Sequence, residues 1–453
     1  MGRRFTGHRL ICGGLFVLLF TAYNGNGREI GSMDSQPAKF AARALALRGN
    51  LRLDDDIRRL PELAARPSFV LDRGGHYRSA YSPVGPMFGA VTGVALRAVS
   101  VDLNAPRGPN LIAALTASTV TALAVCVVFL ALVRIGSTAQ AVTVAAGLGL
   151  GTNLWALHSQ TLAQHDVVLL GLSIWLFNWM RPTADLASRH LWGGAVGLAL
   201  AVTARPQVGP LVAMLGLGLI ARVGVRRAAG PLTLAVATLV LLLLAQWRWF
   251  GHPLGAMPFL ELLHPEIHSV GGSLGSAPWI GASGLLVSPS RGLFIFSPIV
   301  LVALAGVPRA LRDLRGYGLD WAFGGCLLLF VGYASYSVWW GGHSYGPRYL
   351  LDGLVVLTPP AVVALRRLSA SRPARVVMTL ALAWSVTIAG TGAFFTDVWN
   401  TKPDNVDQNH ARLWDWSDPQ FVRAWQSGLS QQNFNLFNWT SVRAAPRGQP
   451  QDR

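Results

Sequence analysis

Apolar runs of about twenty residues recur from one end of this 453-residue chain to the other. A run of that length lets an α-helix cross the hydrocarbon of a bilayer. Hydrophobic residues make up 52% of the chain and charged residues 13%, about half the charged share of a soluble domain. The spacing predicts an all-α, multi-pass helical bundle. Segments able to span are roughly 10–23, 111–133, 139–157, 166–180, 191–205, 207–222, 231–250, 292–308, 319–338, 349–366 and 375–395.

Topology follows from the arginines. The net charge of +17 would point to nucleic acid in a soluble chain, but here the arginines sit in short loops between apolar segments. Positive charge is retained on the cytoplasmic side. Arg3, Arg4 and Arg9 place the N-terminus inside, and Arg134, Arg181, Arg189, Arg222, Arg226 and Arg227 mark later inner loops. Arg309, Arg312, Arg315, Arg366, Arg367, Arg372 and Arg375 continue the pattern. The clusters alternate only if 83–99, with two prolines and three glycines, is re-entrant or interfacial. The expectation is about eleven spans, N-terminus in and C-terminus out, in the inner membrane of a bacterial cell. The basic N-terminus lacks a small-x-small cleavage site and reads as an uncleaved first helix. Cys12, Cys126 and Cys326 lie in apolar segments, which indicates neither disulfides nor zinc.

What is long and polar then falls outside. The expected division is a transmembrane module over 1–395, with a first outer loop at 24–110 and a second at 251–291, followed by a Trp- and Asn-rich outer tail, 396–453. Eight of the ten histidines also fall outside: His76, His158, His165, His252, His264, His268, His343 and His410. No internal repeat and no mid-span carboxylate appears, which disfavours a coupled carrier.

Five sets of residues could carry chemistry on that face. Asp34 lies in the Gly/Ser/Asn-rich stretch 24–37, directly after the first span. His76 and Tyr81 precede the re-entrant element. His158, Gln160, His165 and Asp166 join two spans, and His343, Tyr345 and Arg348 precede another. Arg291 and Arg205 add cations at helix mouths. Each has a plainer reading. A lone loop aspartate is commonly solvated, and Trp339 and Trp340 suit the interfacial belt. Arg348 and Asp352, spaced i, i+4, suit a pair at a helix start. His158 and His165 share a face if one helix contains both, but two histidines without a carboxylate in register are a weak metal site. Asp54, Asp55 and Asp56 suit a helix start or solvated face. No nucleotide-binding loop, nucleophile elbow or zinc-protease motif is present.

Together the sets divide the labour of a group transfer. Arg205, Arg291 and Arg348 suit an anionic phosphate at the membrane surface, because the guanidinium fork matches phosphate geometry. A nearby carboxylate suits a general base that deprotonates a hydroxyl. Tyr, Trp and His suit contact with a sugar.

With SMDSQPAKFAARAL after the first span, YSPVGP in the same loop, SQTLAQHD, SPSRGLFIFSP and GGHSYGPRYL, the chain resembles the GT-C superfamily of membrane glycosyltransferases, including its mannosyltransferase-like members. The resemblance covers most of residues 10–395. It implies Asp34 as the catalytic carboxylate and Asp166 as the second acidic residue of a later outer loop. It further implies inverting transfer from a polyprenyl-phosphate-linked donor to a cell-envelope glycan, lipid or protein acceptor, with membrane lipids and no nucleic acid as partners. Arg205, Arg291 and Arg348 would hold the phosphate, and His76, Tyr81, His158, Gln160, His165, Asp166, His343 and Tyr345 the sugar. Met33 and Ser35 flank Asp34 where many members have a D-x-D pair, which puts metal dependence in doubt and leaves open whether Asp34 alone serves as base. No fixed cofactor is expected, and a divalent cation, Mg or Mn, is admitted. The alternative is a lipid-linked sugar or polymer transporter that binds phosphate without chemistry.

Overall fold

The computed structural model describes residues 2–256, 258 and 274–437. His264 and His268 lie outside the described residues, as do parts of the second outer loop and of the tail. The chain is mostly helical. Its helices are α1 Gly2–Asn24, α2 Gln36–Arg48, α3 Asp54–Arg59, α4 Val84–Ala98, α5 Gly108–Leu132, α6 Thr138–Leu150, α7 Gln164–Trp179 and α8 Ser188–Ala204. There follow α9 Gly209–Val223, α10 Val225–Phe250, α11 Pro278–Val287, α12 Leu293–Phe296, α13 Val300–Asp313 and α14 Leu319–Ser335. The last three are α15 Thr358–Leu368, α16 Arg372–Phe394 and α17 Gln420–Ser427. One antiparallel hairpin, β1 Phe69–Leu71 with β2 Tyr77–Ser79, pairs Val70 with Arg78.

Five helical stretches are long and apolar enough to cross a bilayer: Gly108–Leu132, Pro206–Val223, Val225–Phe250, Tyr349–Leu368 and Arg372–Phe394. Shorter apolar helices accompany them, and the protein is a multi-pass membrane protein. The central helix is α5, 72% buried over its most apolar window, while α10 is 22% buried over its own and forms the rim. Helices α7 and α8 pack closest. Gly171 and Gly197 face each other so tightly that a Cβ on either would strike the other's carbonyl, the small-residue contact that lets membrane helices approach.

The two ends of the bundle differ chemically. At one end arginines cap carbonyls: Arg222 donates to the carbonyls of Arg181 and Trp179, and Arg181 to that of Phe177. At the other end lies the folded first loop. There the stretch 83–99 forms the single helix α4, laid against α2 and α5, with Gly89 over Ala42 and Gly93 over Ala46. The acidic run Asp54–Asp56 starts α3. Asp56 is buried beneath Arg43 and Arg48, and Asp55 pairs with Arg48 and Arg58.

The tail is part of this end. Trp399 is fully buried between the guanidiniums of Arg291 and Arg412, 5.1 and 4.4 Å from its ring centroid. Further along, the backbone N–H groups of Phe434 and Leu436 donate to the carbonyls of Asn26 and Gly27, each at 2.7 Å.

Candidate functional site

Asp34 is held by tethers on both sides. Upstream, Asn26 donates to Gln160 Oε1 (2.6 Å) and to the Ala393 carbonyl (2.9 Å), while Arg28 donates to the carbonyls of Ala393 and Phe395. Downstream, Ser35 accepts from the Ser32 N–H, and the Ser68 hydroxyl donates to the Met33 carbonyl. The Asp34 side chain remains 46% exposed. Arg348 Nη1 donates to its Oδ2 at 2.9 Å, and the Tyr81 hydroxyl donates to its Oδ1 at 2.9 Å. Burial by the surrounding walls pushes the carboxyl up. The Arg348 guanidinium and the Tyr81 hydroxyl outweigh that and hold it below the usual carboxylate range.

Arg348 reaches Asp34 because of the loop before it. Gly341, Gly342 and Gly346 all adopt left-handed backbone, with φ of 78°, 62° and 65°. At Gly346 a side chain would also collide with Asn153 and Phe296. The next stretch, Tyr349–Leu357, is a 3₁₀-helix. Positions 348 and 352 therefore do not stack as they would on an α-helix. The i, i+4 pair of Arg348 with Asp352 is not among the bonds made: Arg348 goes to Asp34, and Asp352 turns into the bundle.

A second, buried cluster lies beside the first. Arg205 ends α8 in an extended conformation (φ −146°) because Pro206 follows it. Its Nη1 donates to Asp352 Oδ2 and to the Tyr333 hydroxyl (2.7 Å). His165 Nδ1 bonds Asp352 Oδ1 at 2.9 Å, and the His158 ring stacks on His165 with centroids 5.0 Å apart. The Tyr349 ring joins the two clusters, with Arg205 and Arg348 at 5.6 and 5.3 Å from its centroid. Ser82, next to Tyr81, donates to the Thr203 carbonyl at 2.7 Å, which ties the first loop to the end of α8. Arg348 Nε has no hydrogen-bond partner within the protein among the described residues.

The remaining expected residues are placed elsewhere. Arg291 is fully buried, and all five of its N–H groups donate to protein acceptors: the carbonyls of Trp340, Ser290 and Gly342, Gln420 Oε1 and Asn400 Oδ1. His343 bonds Asn405 and Asp407 of the tail. Tyr345 is a buried wall whose hydroxyl donates to the Ile388 carbonyl. Gln160 braces the first loop through Asn26 and the Tyr23 carbonyl. Asp166 is buried, with Oδ1 accepting from the Val167 N–H and Oδ2 unpartnered among the described residues. His76 pairs with Asp54 at the hairpin, beside Arg52, Arg78, Arg248 and Trp249. The residues brought together are thus Asp34, Tyr81 and Arg348, with His158, His165 and Arg205. Asp352, expected as a local partner of Arg348, and Tyr349 join them. Glu29, the other carboxylate of the stretch 24–37, is occupied by Lys39 and Thr161.

No family model matches the chain, and no curated protein matches it. Among solved structures, ArnT from Cupriavidus metallidurans, in a crystal structure bound to undecaprenyl phosphate, superposes with a TM-score of 0.50 at 15% identity. The match covers 83% of this chain and 63% of that one, so the chain spans less than two thirds of its length. The likeness is one of fold.

Proposed function

We propose that the protein is an integral membrane glycosyltransferase that moves a sugar from a polyprenyl-phosphate donor to an extracytoplasmic acceptor by a single inverting displacement. The observation that carries this reading is the meeting of Asp34, Tyr81 and Arg348, three residues far apart in sequence, at a half-exposed carboxylate. In the reaction, Asp34 takes the proton from the acceptor hydroxyl as its oxygen bonds to the anomeric carbon. The bond from that carbon to the phosphate oxygen breaks, and its electron pair leaves with the polyprenyl phosphate. Arg348, with its unpartnered Nε, and Arg205 stabilise the departing anion, so no separate general acid is needed. Tyr81 orients the carboxylate, while His158 and His165 belong to the buried cluster beside it. Arg291 belongs to the clamp on the tail. The finer reading is of eleven crossings, N-terminus cytoplasmic, in a bacterial inner membrane, with Asp34 on the outer face.

Asp34→Asn tests it. Purified variant in detergent, with radiolabelled polyprenyl-phosphate sugars and a cell-envelope acceptor fraction, should turn over about 10²- to 10⁴-fold more slowly while still binding polyprenyl phosphate. A variant that keeps most of its function would sink the catalytic role and favour a transporter.

A further inference from the structure

The side chains of His158, His165 and Asp352 come from three separate elements: the turn Leu154–His158, the start of α7 and the 3₁₀ stretch Tyr349–Leu357. They are 1%, 8% and 0% exposed. Each offers one donor atom, and the three atoms lie within 4.8 Å of one another. His158 has no hydrogen-bond partner at either ring nitrogen among the described residues. An imidazole withdrawn from water needs at least one, and ring stacking on His165 supplies none. We propose that these three side chains bind one divalent transition-metal ion, Zn²⁺ by the donor set, in the buried cluster beside Asp34.

Two imidazoles and one carboxylate are the ligands of an open zinc site, with a fourth position left for water or substrate. Magnesium and manganese favour all-oxygen shells and match this set less well. Ligands at about 2.0–2.2 Å from a tetrahedral ion stand roughly 3.4 Å apart, so the observed spread closes with small side-chain rotations. His165 Nδ1 and Asp352 Oδ1, 2.9 Å apart in a hydrogen bond, give up that bond to the ion. The partners outside the three ligands are also in place. Asp352 is fixed by Arg205, which Tyr333 holds in turn, the kind of bracing that orients metal ligands.

The nearby cations bear on what completes the site. Arg205 bonds Asp352 directly, Arg348 lies against the same Tyr349 ring as Arg205, and Asp352 and Asp34 oppose them and the ion. The excess positive charge selects an anionic fourth ligand. On the glycosyl-transfer reading above, that ligand is a phosphate oxygen of the donor; the ion itself does not depend on that reading.

The test uses the full-length protein purified in detergent, stripped with chelator, then incubated with Zn²⁺ alone or Co²⁺ alone and desalted. Mass spectrometry of the metal should find about one Zn²⁺ per chain, and Co²⁺ should give the intense visible bands of tetrahedral nitrogen and oxygen ligation. His158→Ala should weaken Zn²⁺ binding by about 100-fold or more against a chromophoric chelator and abolish the Co²⁺ spectrum, with elution and helical content unchanged. Wild-type protein with no stoichiometric metal and no tetrahedral Co²⁺ spectrum overturns the proposal without recourse to any variant. So does His158→Ala that binds as well as wild type. Asp34→Asn should bind Zn²⁺ normally while losing transfer, so failure of the metal site and failure of the catalytic reading are told apart.

Discussion

Replacing Arg291 with Met separates two roles that the residue could hold. The guanidinium is buried without a carboxylate in direct contact. It fills three carbonyls and the amide oxygens of Gln420 and Asn400. Through those two amides it reaches Asp397, whose Oδ2 accepts from Gln420 Nε2 at 2.8 Å and from Asn400 Nδ2 at 3.1 Å. Burial pushes Arg291 down to about 10, so it stays charged at neutral pH, and burial pushes the Asp397 carboxyl up. Met fills most of the volume but removes five donors and leaves Asp397 without its compensating charge. Removing one member of such a buried network costs about 3–5 kcal/mol. A total stability of about 5–15 kcal/mol absorbs that loss, so it should appear as local opening of the tail rather than global unfolding. Limited trypsinolysis followed by mass spectrometry should show cleavage after the buried Arg412 accelerated about 10²- to 10³-fold, since each 1.4 kcal/mol is roughly a factor of ten. Binding of polyprenyl phosphate should change little. If the tail stays as resistant as wild type while lipid-phosphate binding is lost, the clamp is refuted and Arg291 is a ligand residue.

Other perturbations act on the same framework. Asp352→Asn leaves Arg205 buried opposite a neutral amide and should destabilise the protein by about 3–5 kcal/mol, read as a lower midpoint in thermal unfolding; an unchanged midpoint would contradict the buried pairing. Because Arg348 and Tyr81 hold Asp34 below the usual range, which is about 3.9, transfer should show no carboxylate limb between about pH 5 and 8; a limb centred near 6 would rule out Asp34 as the base. His343 is raised by its hydrogen bond to Asp407. That pair steadies the tail below about pH 6.5 and is lost as pH rises through the raised value. Burial pushes Asp407 up, but hydrogen bonds from His343 and Trp340 outweigh it, so its contribution is present above about pH 3.9 and fades on acidification. Tail protection from protease should therefore be greatest between about pH 4 and 6.5; flat protection across pH 4–9 would exclude the pair.

The apolar periodicity and the arginine-rich loops made the helical membrane class legible, because both are local properties of the chain. Asp34 stood out for a similar reason, as a carboxylate placed in a turn directly after an apolar helix. Tyr81 and Arg348 stood out as candidates too, but their pairing with Asp34 did not. The spacing of Arg348 and Asp352 suggested a local pair, yet the backbone there winds as a 3₁₀-helix, and each side chain bonds a residue far away in sequence. The two histidines lacked a carboxylate in register, and Asp352 supplies one from a distant element. Arg291 shows the same limit from the other side. As a cation at a helix mouth it suits a phosphate, but its acceptors Asn400 and Gln420 lie in a tail with no apolar pattern to reveal where it folds back.

The backbone bonds from Phe434 to Asn26 and from Leu436 to Gly27 have a consequence for biosynthesis. The polypeptide emerges in order, so the turn leading to Asp34 is made long before the 3₁₀ segment Asn435–Phe437 that fastens it exists. The fastening comes last, when the ribosome has delivered that segment. A partly made chain therefore carries Asp34 on a turn that its C-terminal partner does not yet hold.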